Sequence, residues 1–312
     1  MEVGTGQMSA NEPRVSIGVP VYNGENYIKE ALDSILAQTY ADFELIISDN
    51  ASTDRTPEIC RAYAAKDPRI RCYRNAENLG GAPNYNRAFE LSSGEYFKWA
   101  AHDDVLAPDF LLRCVQVLDE HPGVVLCHPK SKIIDEHGEV VEDYRVHLRT
   151  DSPQPYLRFH DLIWVRHWCV QIYGLIRRSA LQMTRLHGEY ASSDRVLLIE
   201  LALLEPFYEI PEYLFFSRRH RYQASHLVRD LHAYAIWFDS SKRGKLVLPA
   251  SKLVLEHFRA VSNAPISRTE RARCYLSGCL RLGKYLGILA EDAIMPIRFV
   301  LHRLRSGARL SR

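Results

Sequence analysis

The sequence predicts an α/β fold, in which a mixed but mostly parallel sheet is flanked by helices and followed by a C-terminal helical extension. The first observation is that β-rich segments alternate with helical segments through the first half of the chain, with short connections. Such alternation implies parallel strands joined by right-handed crossovers. The second observation is that strand signals stop near Asp230, beyond which the periodic segments have helical spacing. A chain of 312 residues is long enough for one large domain with an appendage.

Four strands and three helices are predicted in the first half. Residues 15–21 are rich in β-branched side chains and end at the turn formers Asn23 and Gly24. A helix is predicted over 25–38, because apolar residues recur there on one helical face. The same reasoning predicts, in order, a strand over 43–48, a helix over 56–65, a strand over 70–74, a helix over 82–91 and a strand over 96–101.

The second half is predicted to complete the sheet and then to become helical. Ser192, Ser193 and Asp194 are favoured helix caps and predict a helix over 195–204. The Pro-containing polar segment 144–160 is predicted to be irregular surface chain. The other predictions are a helix over 110–118, a strand over 124–127, a strand entering a hairpin at 132–139, a strand-like segment over 169–177, a helix over 179–186, a strand over 208–216 and helices over 231–238, 253–261, 268–289 and 294–304.

This pattern divides the chain into a flexible N-terminal tail over 1–13, an α/β domain over 14–228 and a helical region over 229–312. The net charge of +2 is too small to indicate nucleic-acid binding by bulk electrostatics. Seven cysteines without close pairs, and the lack of a signal peptide, predict reduced thiols and a cytoplasmic location. No stretch reaches the roughly 18 consecutive apolar residues of a membrane span.

Three of the predicted strands have polar residues at or just after their carboxyl ends, in the segments 20–23, 49–50 and 102–104. Ligands of open α/β sheets bind beyond the carboxyl ends of the strands. We therefore expect these three segments to meet in one crevice.

Two adjacent acids, Asp103 and Asp104, follow the fourth strand directly. Carboxylates this close repel each other unless a cation or hydrogen-bond donors compensate them. One interpretation is a divalent metal shared with substrate phosphates. The other is an acidic turn that caps the helix beginning near Phe110.

Several motifs in order resemble the inverting family 2 glycosyltransferases of the GT-A (Rossmann-like) fold. The resemblance covers residues 14–225, so that the α/β domain would be the GT-A catalytic domain. It is carried by Val15-Ser16-Ile17-Gly18-Val19-Pro20-Val21-Tyr22-Asn23, Asp49-Asn50-Ala51-Ser52-Thr53-Asp54, Asn78-Leu79-Gly80 and Asp103-Asp104.

The resemblance implies a donor site for a UDP- or dTDP-sugar. Asp49 would accept a hydrogen bond from the base, Tyr22 would flank that base, and Asp103 would contact the ribose or support the metal. Further nucleotide-sugar contacts would come from Pro20, Val21, Asn23, Asn78, Gly80 and Asn84. Arg87 could instead hold a diphosphate oxygen, although a surface arginine is the alternative.

The resemblance also implies the groups that drive the transfer. Asp104, with His220 from the segment Arg218-Arg219-His220, would hold Mn²⁺ or Mg²⁺. Arg219, or alternatively Arg221, would neutralise phosphate charge. Asp194 would be the general base that deprotonates the acceptor hydroxyl. His102 is expected to pack beside Trp99 and to bond a backbone group.

The implied function is transfer of a sugar to a glycan, a lipid-linked or a small-molecule acceptor, in bacterial glycan, glycolipid or natural-product synthesis. Segments 144–160 and 163–169, which contain Trp, His and Arg, are candidate acceptor loops. A non-catalytic nucleotide-sugar-binding protein or scaffold is an alternative. A nucleotidyltransferase is a further alternative, but the first strand is not followed by the Gly-rich basic loop that it would need.

The C-terminal end is basic and amphipathic. From Glu291 onward there are five arginines and two acids, and the apolar residues of 294–304 share one helical face. Such a helix could lie on an anionic membrane surface, placing the protein peripherally at the inner membrane. The alternative is that it packs on the α/β domain or on a second subunit.

Overall fold

The computed structural model describes residues 12–221, 223 and 231–307. Within these residues the strands are β1 (Val15–Val21), β2 (Phe43–Asp49), β3 (Ile70–Arg74), β4 (Tyr96–Trp99), β5 (Val105–Leu106), β6 (Leu126–Ile134), β7 (Val140–Tyr144), β8 (Leu175–Arg177) and β9 (Phe207–Arg218). The helices are α1 (Ile28–Leu36), α2 (Thr56–Ala64), α3 (Gly81–Glu90), α4 (Phe110–Glu120), α5 (Pro155–Trp164), α6 (Arg178–Gln182), α7 (Ser193–Leu204), α8 (Leu231–Phe238), α9 (Pro249–Asn263) and α10 (Arg268–Gly307). The tail predicted over 1–13 lies outside this set, apart from residues 12 and 13.

The described strands form one mixed sheet in the order β3-β2-β1-β4-β8-β6-β9-β5. The remaining strand, β7, pairs with β6. The four strands β3, β2, β1 and β4 run parallel, as the sequence predicts. β8 runs antiparallel to both β4 and β6, while β6 and β9 run parallel. The carboxyl ends of β1, β2 and β4 therefore lie along one edge.

Each face of the sheet carries its own apolar core. Side chains alternate between faces along a strand, so Tyr96 of β4 joins the core formed with α1 and α4, whereas Phe97 joins the core formed with α5 and α7. Every residue of β1 and β2 is buried, which explains their nearly continuous apolar sequence.

The sequence analysis predicted that segment 144–160 is irregular, but the structure shows that this is only partly correct. Its C-terminal part begins α5, with Pro155 in the first turn, where a missing N–H costs no hydrogen bond. Phe159, Leu162 and Ile163 form the buried face of this helix.

Other boundaries also differ from prediction. Residues 170–173 form a 3-10 helix, so only 175–177 of the strand-like segment 169–177 pairs in the sheet. The helices predicted over 268–289 and 294–304 are one helix, α10, which continues through Pro296. Residues 231–307 contain no strand, as predicted for the C-terminal region. Among the described helices, none has the length and apolar character needed to cross a bilayer.

Candidate active site

A large cavity of about 1440 Å³ opens at the carboxyl ends of the parallel strands. Tyr22 after β1, Asn50 after β2 and the acids Asp103 and Asp104 after β4 all line it. The structure thus confirms that the three strand ends converge. Asp194, at the start of α7, lines the same cavity although it is distant in sequence.

The adjacent acids Asp103 and Asp104 are buried and have opposite pKa shifts. Burial and the neighbouring charge of Asp103 raise the pKa of Asp104 to about 8. Burial would also raise the pKa of Asp103, but His102 and a hydrogen bond with His220 outweigh it and hold that pKa below its usual value. Two adjacent buried carboxyl groups are not readily ionised at the same time, so the pair carries one negative charge unless a cation binds beside it.

Arg218 fixes the acidic pair from the last strand, and the sequence analysis did not select it. Its backbone N–H donates to Asp104 Oδ1 at 2.8 Å, and its Nε donates to the Asp103 carbonyl at 2.8 Å. Its Nη2 pairs with Glu30 at 2.5 Å, although only 1% of the Arg218 side chain is exposed. Three neighbouring arginines look alike in sequence. Only the register of β9 tells which of them points inward.

His220 and Arg219 also reach the cavity. His220 Nε2 lies 2.9 Å from Asp103 Oδ2, and its ring centroid lies 4.6 Å from that of Tyr27. The Arg219 guanidinium lies 3.8 Å from the ring centroid of Trp168. Its buried Nε has no hydrogen-bond partner among the described residues. Neither Arg221 nor Arg87, the alternatives considered for phosphate contact, is among the residues that line the cavity.

The segment after β1 is a braced turn. Asn23 has a positive φ of 52° and its Oδ1 accepts the backbone N–H of Thr53 at 2.8 Å. Its own N–H donates to Ser52 Oγ at 2.9 Å. These bonds tie the ends of β1 and β2 together, and they leave Tyr22 44% exposed at the cavity wall. Pro20 and Val21 line the cavity beside it.

Asp49 is turned away from the open cavity. Its Oδ1 accepts the backbone N–H of Ser52 at 2.9 Å, and its Oδ2 accepts a bond from Arg74 at 2.5 Å. Its side chain is buried and is absent from the cavity lining, which includes its neighbour Asn50. The role predicted for Asp49 toward a nucleotide base stays a prediction.

Asn78, Gly80 and Asn84 line the cavity through a network of amides. Asn50 Nδ2 donates to Asn78 Oδ1 at 2.9 Å and to the Gly80 carbonyl at 3.0 Å. Asn84 is fixed at the base of this loop, where its Oδ1 accepts the Ser48 hydroxyl at 2.7 Å. The side-chain atoms of Asn78 and Asn84 are therefore already engaged in positioning the loop.

The C-terminal region contributes to the wall near this loop. A Cβ on Gly80, whose φ is +95°, would lie 2.8 Å from the Phe238 carbonyl, and a Cβ on Gly81 would lie 2.8 Å from the Trp237 ring. Tyr234 and Trp237 of α8 line the cavity. The site therefore extends beyond the predicted α/β domain.

Asp194 combines exposure to the cavity with a raised pKa. Burial raises the pKa of Asp194, although the adjacent Arg195, backbone hydrogen bonds and a hydrogen bond from the Cys169 thiol oppose this. A carboxylate with a raised pKa is a stronger base. Ser192 precedes α7 in a left-handed conformation and makes no side-chain capping bond, so the predicted Ser cap does not form.

A second groove of about 600 Å³ adjoins the cavity through shared residues Arg166, His167 and Trp168. β7 supplies its other side, including Glu142. Trp168 is 47% exposed at the junction, with its ring centroid 5.1 Å from that of Tyr144. His102 packs beside Gly24, where a Cβ would lie 2.6 Å from its ring, and its predicted contact with Trp99 stays a prediction.

A family model described as Glycosyl transferase family 2 matches residues 16–184, just over half of the chain. A protein described as an uncharacterized glycosyltransferase of Rickettsia typhi is 41% identical over 118 residues, which are 37% of this chain and 36% of that protein. Another, of Methanocaldococcus jannaschii, is 31% identical over 137 residues, 43% of this chain and 47% of its own length. The chain thus spans less than half the length of these curated relatives.

Solved structures with the same architecture match nearly the whole chain. S. aureus TarS 1–349 in complex with UDP-GlcNAc has a TM-score of 0.64 at 18% identity and covers 92% of this chain and 73% of its own. The mannosyltransferase PcManGT from Pyrobaculum calidifontis, in complex with GDP-Man and Mn²⁺, has a TM-score of 0.56 at 20% identity, with coverages of 97% and 81%. At these identities the likeness concerns the fold, and it confirms the GT-A fold predicted from the sequence.

Proposed function

Because the chain belongs to glycosyl transferase family 2, we propose that it transfers a sugar from a UDP- or dTDP-sugar to an acceptor hydroxyl, with inversion and with Mn²⁺ or Mg²⁺. The observation that carries this proposal is that Asp104 and Asp194, 90 positions apart in the sequence, line one cavity. The cavity thus contains both an acidic pair suited to a cation and a carboxylate that could act as a base.

The residues around Asp104 fit a divalent cation. The described residues contain no cluster of three or more His, Cys, Asp or Glu side chains that could hold a metal alone. Asp104 and Asp103 nevertheless carry two adjacent buried carboxyls, and burial together with the charge of Asp103 raises the pKa of Asp104. Asp104 and His220 would hold the ion, which when bound would neutralise charge on the diphosphate leaving group. Carboxylate oxygen and imidazole nitrogen are both ligands that Mn²⁺ accepts.

Donor binding would use the strand-end residues. Tyr22 is exposed enough to flank a base. Asn50 fixes the position of the Asn78–Gly80 loop through its hydrogen bonds to that loop. Arg219 would contact phosphate oxygens, since its guanidinium has no carboxylate partner among the described residues and its contact with Trp168 holds it at the cavity. Asp103 would act through the ribose or by orienting His220.

Asp194 would remove the proton from the acceptor hydroxyl. As the base in an inverting transfer it must face the anomeric carbon from the side opposite the diphosphate. Asp194 lines the cavity from the first turn of α7, an element separate from the β4 end that carries Asp103 and Asp104. The raised pKa makes it a better proton acceptor than an exposed aspartate.

The acceptor would enter along the groove that joins the cavity at Trp168. The cavity exceeds the 300–1,000 Å³ typical of single-ligand pockets, which leaves room for an acceptor beside the donor. The groove combines aromatic surface with charged side chains such as Glu142 and Arg166, a combination suited to sugar hydroxyls. A glycan, free or lipid-linked, suits this extended shape better than a compact small molecule.

Calorimetry of UDP binding with and without Mn²⁺ tests the donor site. We expect Mn²⁺-dependent binding in the wild-type protein, a large loss of affinity in Asp104→Asn and no change in Asp151→Asn, a matched control at an exposed position. If UDP does not bind either with or without Mn²⁺, the proposed donor site is wrong.

Catalysis is tested by turnover with a panel of UDP- and dTDP-sugars. Asp194→Asn is expected to lower turnover by about 10²–10⁴ while leaving UDP affinity unchanged. Proton NMR of the first product formed would report inversion at the anomeric carbon. Donor binding without hydrolysis or transfer of any donor would favour the non-catalytic binding protein, whereas nucleoside triphosphate turnover would favour a nucleotidyltransferase.

A further inference from the structure

Helix α10 packs on the rest of the protein through one side. Cys274 is fully buried, and Asp292, five turns later, accepts the backbone N–H of Ser251 at 2.6 Å. A Cβ on Gly278 would lie 3.2 Å from Phe258 of α9, and Ser277 accepts a bond from Trp164 of α5 at 3.1 Å. This side of α10 is therefore occupied by α5 and α9.

The opposite side of α10 is apolar and exposed. Leu276 and Leu280 are 62% and 63% exposed, and Leu286 and Ile294 are 65% and 46% exposed. Two residues along a helix turn it by about 200°, so Leu276 points away from the side that buries Cys274. We call this side the exposed stripe. It consists of Ala272, Leu276, Cys279, Leu280, Gly283, Leu286, Gly287, Ala290 and Ile294, all exposed.

The exposed stripe is long and contiguous. From residue 272 to residue 294 it extends about 33 Å along the helix. A Cβ added at Gly283 or Gly287 would meet no described atom within 4 Å, so nothing described covers the centre of the stripe. Apolar area of this extent on a surface helix marks an interaction surface, because single exposed leucines are normal but a continuous row is not.

The exposed charges described beside the stripe are positive. Between residues 272 and 294 they are Arg273 and Lys284. Arg273 pairs with Glu270, one turn earlier on α10, at 2.9 Å, whereas no ion pair is described for Lys284. The sequence that follows, 295–312, contains five arginines and no acid. An apolar stripe bordered and continued by positive charge complements a surface that offers hydrocarbon beneath anionic groups.

We propose that the exposed stripe of α10 lies on an anionic lipid surface, with its leucines at the level of the acyl chains and its cations among the headgroups. Apolar burial and electrostatic attraction are the two signals that stable peripheral binding requires. A second copy of the chain suits the stripe less well. Pairing two copies through it would bring Lys284 toward cations of the partner. No acidic side chain is described on the stripe to balance it, and Glu270 is already paired with Arg273.

Vesicle flotation tests this proposal with the full chain and does not depend on glycosyl transfer. The double variant Leu276→Glu, Leu280→Glu changes two exposed side chains, so that the fold should persist, as thermal unfolding would check. The control is Met183→Glu, which introduces the same charge at a side chain that is 68% exposed outside α10. Ile294→Glu, at the other end of the stripe, is the second test variant.

We expect the wild-type protein to float with vesicles of phosphatidylcholine and phosphatidylglycerol, and to bind phosphatidylcholine alone at least about tenfold more weakly. The double variant should bind the anionic vesicles about tenfold or more weakly than wild type, Ile294→Glu should also bind more weakly, and Met183→Glu should bind normally. High salt should weaken wild-type binding.

Equal binding by the wild-type protein and both stripe variants would overturn the proposal, as would no binding to anionic vesicles. A wild-type dimer in sedimentation velocity that becomes monomeric in the double variant would also overturn it, since a second copy would then cover the stripe. If the double variant does not fold, Ile294→Glu alone decides the outcome. None of these results bears on UDP affinity, so failure here leaves the proposed donor site intact.

Discussion

His220 Nε2 lies 2.9 Å from Asp103 Oδ2, although 117 positions separate the two residues in the chain. The contact joins the end of β9 to the loop after β4. It lowers the pKa of Asp103 against the effect of burial. Because Asp103 stays ionised, its charge raises the pKa of Asp104 beside it. The pair therefore sets the electrostatics of the acidic end of the cavity.

The coupling between these two residues is measurable by a double-mutant cycle. We expect Asp103→Asn and His220→Gln each to weaken UDP binding in Mn²⁺, and the double variant to be weakened by less than the sum. A coupling energy of about 0.5–3 kcal/mol is typical of residues in contact. His137→Gln is the control, since its side chain is 77% exposed. Strict additivity would mean that the two residues act independently on the donor.

Arg218 should matter more than its exposed ion-pair partner. Arg218→Lys removes the guanidinium group, whose Nε and Nη2 bond the Asp103 carbonyl and Glu30. Leaving a buried carbonyl without its donor costs about 1–3 kcal/mol of unfolding free energy. Glu30→Gln, which changes a side chain that is 50% exposed, should cost about 0–1 kcal/mol. Urea unfolding of both variants measures the difference, and equal losses would contradict this assignment.

The parts of the fold predictable from sequence are those where local pattern and tertiary burial agree. β1 and β3 have the predicted bounds, because each is a short run with strand character between turn residues. The convergence of Tyr22, Asp103 and Asp104 was also predictable. It follows from parallel topology, which places those strand ends on one edge whatever the details of packing.

The remaining features depend on long-range contacts that a local pattern does not contain. β5 has two residues and exists because it pairs with β9. The side chain of Asp49 is engaged by Arg74 from the neighbouring strand, which its own strand end does not reveal. Arg218 could be told from Arg219 only by the register of β9, which shifts where β9 pairs with residues 129–131 of β6.

The thiol of Cys169 should tune the base. Its interaction with Asp194 lowers the pKa of that carboxyl, opposing the larger effect of burial. Cys169→Ala removes this interaction, so the pKa of Asp194 should rise. Because the base must be ionised to accept a proton, the acidic limb of the pH–turnover profile should move to higher pH. Cys279→Ala, at an exposed cysteine, should leave the profile unchanged. An unmoved profile in Cys169→Ala would contradict a role for this thiol.

Gly80 should be less replaceable than Gly244, although both have positive φ. In Gly80→Ala the new Cβ would meet the Phe238 carbonyl and the Ser240 nitrogen at 2.8 Å, whereas Gly244→Ala meets nothing within 4 Å. A positive φ strains an alanine at either position, by about 1–3 kcal/mol. We therefore expect Gly80→Ala to lose more unfolding free energy than Gly244→Ala. UDP binding should weaken in Gly80→Ala and stay unchanged in Gly244→Ala. Equal stabilities in urea unfolding would show that the loop and α8 can separate without cost.

Lys98 should make stability depend on pH. Its side chain is fully buried, its Nζ donates to the Tyr173 carbonyl, and it lies 4.2 Å from the Phe110 ring centroid. Burial lowers the pKa of Lys98 to about 7 from its ordinary value of 10.5. Between these two values the unfolded chain binds more protons than the folded protein, so stability rises with pH across that window.

Lys98→Met should remove this contribution, flattening the rise in unfolding free energy by about 1.4 kcal/mol per pH unit within the window. Other groups titrate there in both proteins, so the quantity to compare is the wild-type minus variant difference in urea unfolding at pH 7, 8 and 9. Lys66→Met, at an exposed lysine, should keep the wild-type slope. Parallel curves for wild type and Lys98→Met would contradict this prediction, because they would mean that the buried amine keeps its proton on folding.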